Sequence, residues 1–165
     1  MMEKTLEKLL KKESKKPLHC IDTSVFLEST LETKIGDICK SHLNNMGKGK
    51  YFRGVMPMSV LGEISMVVFR DIKNSDESAA KFDLLEKFVK LRSIDFVAAK
   101  KEDYQLIDKL IENERIEPTD AQHLVCAKRA GANVFITLDA ELIDNKNLEN
   151  VLGLKIQHPS GFVNI

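Results

Sequence analysis

Four acidic residues of this sequence occupy positions where a carboxylate is locally out of place: Asp22, Glu63, Asp120 and Asp139. A carboxylate that is buried alone loses its hydration and tends to become neutral. Four carboxylates that the fold brings together would repel one another unless a cation lies between them. These residue types therefore predict a divalent metal site, and the chemistry that suits such a site is the hydrolysis of phosphodiesters.

Three of these acids also have a simpler interpretation when each is taken alone. Asp22 follows the apolar run 18–21 and Asp139 follows the run 134–138, and an Asp that ends a strand commonly serves a turn. Asp120 opens a helical segment, where a negative charge complements the helix dipole. The metal hypothesis therefore rests on the set and on its order along the chain.

Glu63 conflicts most clearly with its surroundings. Val60 and Val67 flank it on the same helical stripe, so it is either an exposed Glu on a partly apolar helix or an acid directed into a site. His123 follows Asp120 by one turn and could face the same site, although packing and capping roles are more common for such a His. Asp144 is a candidate fifth acid, with a surface role as the alternative.

Hydroxyl side chains accompany the acids and could orient them, although capping and turn roles would explain them equally well. They are Thr23, Ser24, Thr119 and Thr137. Mg²⁺ and Mn²⁺ both prefer oxygen ligands, and Mg²⁺ usually takes one or two carboxylates directly and keeps several waters. The predicted cofactor is therefore Mg²⁺ or Mn²⁺, and the site would bind either one ion or two.

Segments typical of strands and helices alternate along the chain. Four runs predict strands: residues 18–21, 94–98, 134–138 and 154–157. Apolar periodicity predicts helices over residues 2–12, 34–46, 59–72, 76–92, 101–113, 118–130 and 140–144. Alternation of this kind predicts an α/β fold of three α/β/α layers around a mainly parallel, twisted sheet. Ligands bind at the carboxyl ends of such strands, where Asp22 and Asp139 are expected.

Composition and length predict a single domain over residues 1–165, with residues 1–17 as a charged helical extension at the N-terminus. The formal net charge is zero, which argues against a protein that grips nucleic acid through global charge. Three cysteines without C-x-x-C spacing favour a reducing compartment. No apolar run is long enough to span a membrane, so we expect a cytoplasmic protein with no membrane contact.

The acidic motifs resemble those of the PIN-domain nucleases, the VapC-like ribonucleases among them. The resemblance rests on Asp22-Thr23-Ser24 after the first strand, Glu63 in a mid-chain helix, Asp120-Ala121 at a helix start and Thr137-Leu138-Asp139 after a strand. It implies that the four acids bind Mg²⁺ or Mn²⁺ and that a metal-activated water cleaves RNA. It further implies either the toxin of a toxin–antitoxin pair, with an antitoxin protein as partner, or a nuclease of RNA processing, and in both cases a second copy of the chain is a candidate partner. The N-terminal extension and the long segment between Asp22 and Glu63 depart from the compact toxin pattern.

A loop of cations and aromatics is a second candidate contact for RNA: Lys48, Lys50, Tyr51, Phe52 and Arg53. Its cations suit phosphates and its aromatics suit base stacking, and the alternative is a solvated loop whose aromatics pack into the core. Two other functions stay open from the residues. One is a non-catalytic adaptor that binds RNA or protein. The other is a phosphotransfer enzyme or a receiver domain: the former would want a second Asp at position 24, which is Ser, and the latter an adjacent acidic pair at the edge of the first strand, which the sequence lacks.

Overall fold

The computed structural model describes residues 16–70, 75–90 and 93–162. Five parallel strands form one sheet in the order β3-β2-β1-β4-β5. The strands are β1 Leu18–Ile21, β2 Arg53–Pro57, β3 Ile94–Val97, β4 Val134–Ile136 and β5 Lys155–Gln157. The predicted parallel α/β architecture is confirmed, whereas the predicted helix over residues 2–12 lies outside the described residues.

Eight α-helices within the described residues connect and cover the strands. They are α1 Thr23–Glu28, α2 Lys34–Lys48, α3 Met58–Arg70, α4 Ser75–Val89, α5 Tyr104–Glu114, α6 Pro118–Arg129, α7 Ala140–Asp144 and α8 Lys146–Leu152. Local signals set their ends: the Thr33 hydroxyl accepts from Gly36 N at the start of α2, and Pro118 takes the first position of α6. None of the described helices is both long and apolar enough to cross a membrane.

Apolar side chains fill both faces of the sheet. Cys20 belongs to a cluster that includes Leu124 of α6, whereas its neighbour Ile21 belongs to a cluster that includes Phe26 of α1. Adjacent strand residues point to opposite faces, so β1 contributes to both clusters. This double burial explains why β1 and β4, near the centre of the sheet, are buried along their whole length, and it gives the three predicted layers.

The second strand was not predicted, because its sequence contains two residues that usually interrupt strands. Gly54 and Pro57 both lie within β2, in a segment whose first part was predicted to be a loop. A Cβ at Gly54 would lie 2.4 Å from Sδ of Met46, so the Met46 side chain of α2 occupies the space that a larger residue would need. Pro57 is the last residue of the strand, where a missing N–H costs least. Helix α8 was also not predicted.

The order of the strands fixes the place where a ligand can bind. The chain runs from β1 outward to β2 and β3, then returns to β4 on the other side of β1. The connection after β1 leads to β2 on one side, and the connection after β4 leads to β5 on the other side. Such a switch point opens a crevice at the carboxyl ends of β1 and β4. Asp22 follows β1 and Thr137 follows β4, so the predicted motifs flank this crevice.

Candidate active site

Asp22 is a buried carboxylate held by three neighbours at the carboxyl end of β1. Its Oδ2 accepts from Ser24 Oγ at 2.6 Å and from Thr137 Oγ1 at 2.9 Å, and its Oδ1 lies 3.2 Å from Nδ1 of His123. Asp22 is the N-cap residue of α1, but its side chain makes no capping bond. Its carboxylate is therefore oriented toward the crevice rather than used to start the helix.

The environment of Asp22 favours the charged carboxylate. Burial by itself would raise the pKa of this group, but the hydrogen bonds from His123, Ser24 and Thr137 together outweigh it. The pKa of Asp22 is consequently lowered from its ordinary value. An ionised carboxylate thus lies almost wholly inside the protein at neutral pH.

The environment of Asp120 has the opposite effect, because it raises the pKa of the carboxyl group. Burial is the largest cause that raises its pKa to about 6, and the negative charges of Asp22, Asp139 and Glu63 add to it, while His123 opposes them. The charges of the other three acids thus all act on Asp120, and we call these four residues, which the sequence singled out, the acidic site.

His123 links two of these acids from the centre of the site. Its Nδ1 faces Asp22, and its Nε2 lies 3.3 Å from Oε1 of Glu63, whose Oε2 accepts a hydrogen bond from Thr23. The approach of Nε2 to Oε1 lacks hydrogen-bond geometry, so both atoms are buried without a hydrogen-bond partner. The spacing of His123 from Asp120 is the signal in the sequence, because residues i and i+3 of a helix share one face.

Three residues form the tightest group of potential metal ligands. Asp22, Asp120 and His123 each offer a ligand atom, and these atoms all lie within 4.8 Å of one another. Glu63 adjoins the group through His123. Asp139 contributes its charge to the site while its Oδ1 accepts from Glu141 N at 2.8 Å and caps α7.

The other residues predicted for the site are distributed unequally. Thr23, Ser24 and Thr137 do contact the acids, as described above. Thr119 is exposed at the start of α6, and Asp144 is exposed at the end of α7. Both side chains face solvent, so neither belongs to the buried group around His123.

The Lys48–Arg53 loop does not join the acidic site. It leads into the first residue of β2, which pairs with the first residue of β1, so the loop lies at the amino edge of the sheet, opposite the acids. Phe52 is only 2% exposed, and its ring stacks on His19 with centroids 4.0 Å apart. The predicted stacking of Phe52 on bases is therefore wrong, because its ring belongs to the core.

The Thr137 hydroxyl has three polar partners in the site. Its Oγ1 donates to Asp22, accepts from Asp139 N at 3.1 Å, and lies 3.5 Å from Ser24 Oγ. Thr137→Val is expected to lower the free energy of unfolding by about 1–3 kcal/mol, because it leaves buried polar partners unsatisfied. Urea denaturation measures the change, with Thr137→Ser as the control that keeps the hydroxyl. Equal losses in both variants would contradict this role.

The comparison with known proteins agrees with the geometry. Residues 19–148 match the PIN domain family, and the chain belongs to this family. The predicted resemblance is thereby confirmed. No curated protein matches the chain in sequence.

Solved structures share the fold at low sequence identity. A chain of VapBC2 from Rickettsia felis, bound to a DNA fragment from their promoter, is 15% identical with a TM-score of 0.58, and the match covers 86% of this chain and 98% of that chain. FitAcB from Neisseria gonorrhoeae gives 14% identity and a TM-score of 0.63, with the same two coverages. PAE2754 from Pyrobaculum aerophilum gives 16% and 0.57, covering 83% of this chain and 93% of its own. Likeness at these identities establishes the fold alone.

Proposed function

We propose that this chain is a metal-dependent endoribonuclease that hydrolyses RNA phosphodiester bonds with Mg²⁺ or Mn²⁺. The observation that carries the proposal is the convergence of Asp22, Asp120 and His123 within 4.8 Å of one another, with Glu63 and Asp139 beside them. PIN domains are generally nucleases, and membership of that family supports the same function.

The residues present suit a divalent cation. Glu63 Oε1 and His123 Nε2 are buried without hydrogen-bond partners, and the neighbouring carboxylates raise the pKa of Asp120. A cation among these groups would relieve both costs. The acids Asp22, Glu63, Asp120 and Asp139 would hold it, directly or through its waters. When bound, such an ion activates water and stabilises the charge that develops on the phosphate.

The chain's own residues supply orientation. The hydroxyls of Ser24 and Thr137 fix the Asp22 carboxylate, and the hydroxyl of Thr23 fixes Glu63. Because these hydroxyls hold the acids in a single arrangement, little reorganisation is needed when the ion and the RNA bind.

The adaptor alternative receives less support. It predicts that the acids are dispersed or neutralised by lysines and arginines. Instead, the polar contacts of Asp22 and Glu63 are with His123 and with neighbouring hydroxyls, and the neighbours of Asp120 are mostly other carboxylates. A carboxyl whose pKa is raised by burial and by like charges, as at Asp120, is characteristic of functional sites.

The proposal extends to partners through the family resemblance. RNA would be the substrate, an antitoxin protein would be the inhibitor, and a second copy of the chain would complete a homodimer. Light scattering on the purified protein tests the dimer, and a monomer at micromolar concentration would overturn that part. The antitoxin is tested by co-expression with the product of the adjacent gene, which would bind and suppress cleavage.

The decisive experiment is incubation of the purified full chain with a panel of structured and single-stranded RNAs in Mn²⁺ or Mg²⁺. We expect cleavage of at least one RNA at defined internal positions, and we expect EDTA to abolish it because the ion supplies the activated water. Gel analysis with end-labelled RNA maps the cuts.

The control is Asp108→Asn, which removes an exposed acid of α5 outside the site and should cleave like wild type. Cleavage that persists unchanged in EDTA would contradict the metal-dependent mechanism. Binding of RNA with no cleavage under any metal condition would favour the adaptor.

A further inference from the structure

The position of His123 goes beyond a site made of carboxylates. Its side chain is 1% exposed, its Nδ1 lies 3.2 Å from Asp22 Oδ1, and its Nε2 lies 3.3 Å from Glu63 Oε1. The charged form of Asp22 can only accept hydrogen bonds, so Nδ1 must be the donor in that contact. In the neutral ring, Nε2 then carries a lone pair.

That lone pair faces another electron-rich atom. Glu63 Oε1 and His123 Nε2 are both buried and both without a hydrogen-bond partner. Because the contact lacks hydrogen-bond geometry, a proton on Nε2 would not satisfy Oε1, whereas a cation could interact with both atoms. The structure therefore contains an unpartnered nitrogen that is aimed into the acidic site.

The distance between the two atoms fits a shared ion. Adjacent ligands of an octahedral ion with bonds of about 2.1 Å lie roughly 3 Å apart, close to the 3.3 Å between Nε2 and Oε1. The other ring nitrogen also follows the usual pattern, since a metal-ligating His commonly donates its second N–H to a carboxylate. Asp22 is the carboxylate that accepts from Nδ1 here.

We propose that His123 Nε2 is a direct nitrogen ligand of the ion in the acidic site, together with Glu63, and that this ligand makes the site favour Mn²⁺ over Mg²⁺. The inference rests on the proposed function for the presence of an ion. Imidazole suits transition metals, whereas Mg²⁺ is best served by oxygen alone. An all-carboxylate site would show a weaker preference, because carboxylates suit both ions.

The test is pulsed electron paramagnetic resonance of the tag-free full chain loaded with Mn²⁺. Wild type is expected to show electron spin-echo modulation from a directly coordinated ¹⁴N nucleus. Titration calorimetry should give Mn²⁺ an affinity at least about tenfold higher than Mg²⁺, in line with the ligand preference. Mn²⁺ bound without nitrogen modulation, or no Mn²⁺ binding at all, would overturn the proposal.

Two substitutions separate ligation from hydrogen bonding. His123→Asn places an amide N–H where Nδ1 donates to Asp22 but removes Nε2, so it should lose the nitrogen signal and weaken Mn²⁺ binding by about 10–100-fold. His123→Gln places an amide oxygen near the Nε2 position, so it should bind Mn²⁺ and Mg²⁺ more equally and also lose the signal. A signal that survives in both variants would contradict the assignment.

The control variant is His158→Asn, because His158 lies near the C-terminus and its Nδ1 contacts Ser160. It should keep both the signal and the affinity. These readouts require no RNA, so the two proposals fail separately. Nitrogen modulation without RNA cleavage would keep the ligand and overturn the nuclease, whereas cleavage without modulation would do the reverse.

Discussion

Asp22→Asn is expected to reduce RNA cleavage by about 10³-fold or more, because metal-ion stabilisation of a transition state is worth several kcal/mol and each 1.4 kcal/mol changes the rate about tenfold. The substitution removes the most buried charge of the acidic site. It also places an amide N–H group among partners that now donate to a carboxylate, namely Ser24, Thr137 and His123. The variant therefore loses both the charge and the orientation of the ligand.

Cleavage rates at saturating Mn²⁺ measure this effect, and circular dichroism with urea denaturation establishes that the variant still folds cooperatively. The hydroxyls of Ser24 and Thr137 can rotate to accept from the new amide, so the fold should survive. Asp108→Asn again serves as the matched control, since it removes an exposed carboxylate by the same chemical change. A folded Asp22→Asn protein that cleaves within tenfold of wild type would contradict the proposed role.

The sequence predicted the acidic site because its signals are local. Asp22 and Asp139 each follow an apolar run, and the ends of parallel strands share one edge of the sheet whatever their order. The contacts of Ser24 and Thr137 with Asp22 could be anticipated for the same reason, because hydroxyls next to a strand end lie near its acid.

Features that depend on packing between distant segments were predicted less well. Strand β2 was missed because the need for Gly54 arises from Met46 of another element. The loop at residues 48–53 was predicted as a candidate RNA contact, but the strand register places it at the opposite edge of the sheet from the acids. A packing or capping role was predicted as the more common one for His123, because only the fold brings Glu63 Oε1 to its Nε2.

Asp120→Asn is expected to change activity and stability in opposite directions. The folded protein raises the pKa of Asp120 from 3.8 to about 6, so between these values the folded state holds a proton that the unfolded state has released. Stability from this group is therefore lost as pH rises through that window, and above about pH 6 the charged carboxylate destabilises the metal-free fold. Asn removes the charge. After a discount for its partial exposure, the metal-free variant should gain about 1–2 kcal/mol at pH 7.5.

Urea denaturation in EDTA at pH 7.5 and pH 4 measures this difference. The gain should be present at pH 7.5 and nearly absent at pH 4, where Asp120 is protonated in much of the wild-type folded protein. Mn²⁺ should offset this gain, because an ion that binds only the folded state adds about 2.7 kcal/mol to wild type at 100 times its Kd, whereas the variant binds the ion more weakly and is stabilised less at the same concentration. Cleavage should fall by about 10²–10³-fold because a ligand charge is lost. A variant that is less stable than wild type in EDTA at pH 7.5 would show that the carboxylate is compensated within the protein, which would remove the electrostatic argument for a bound cation.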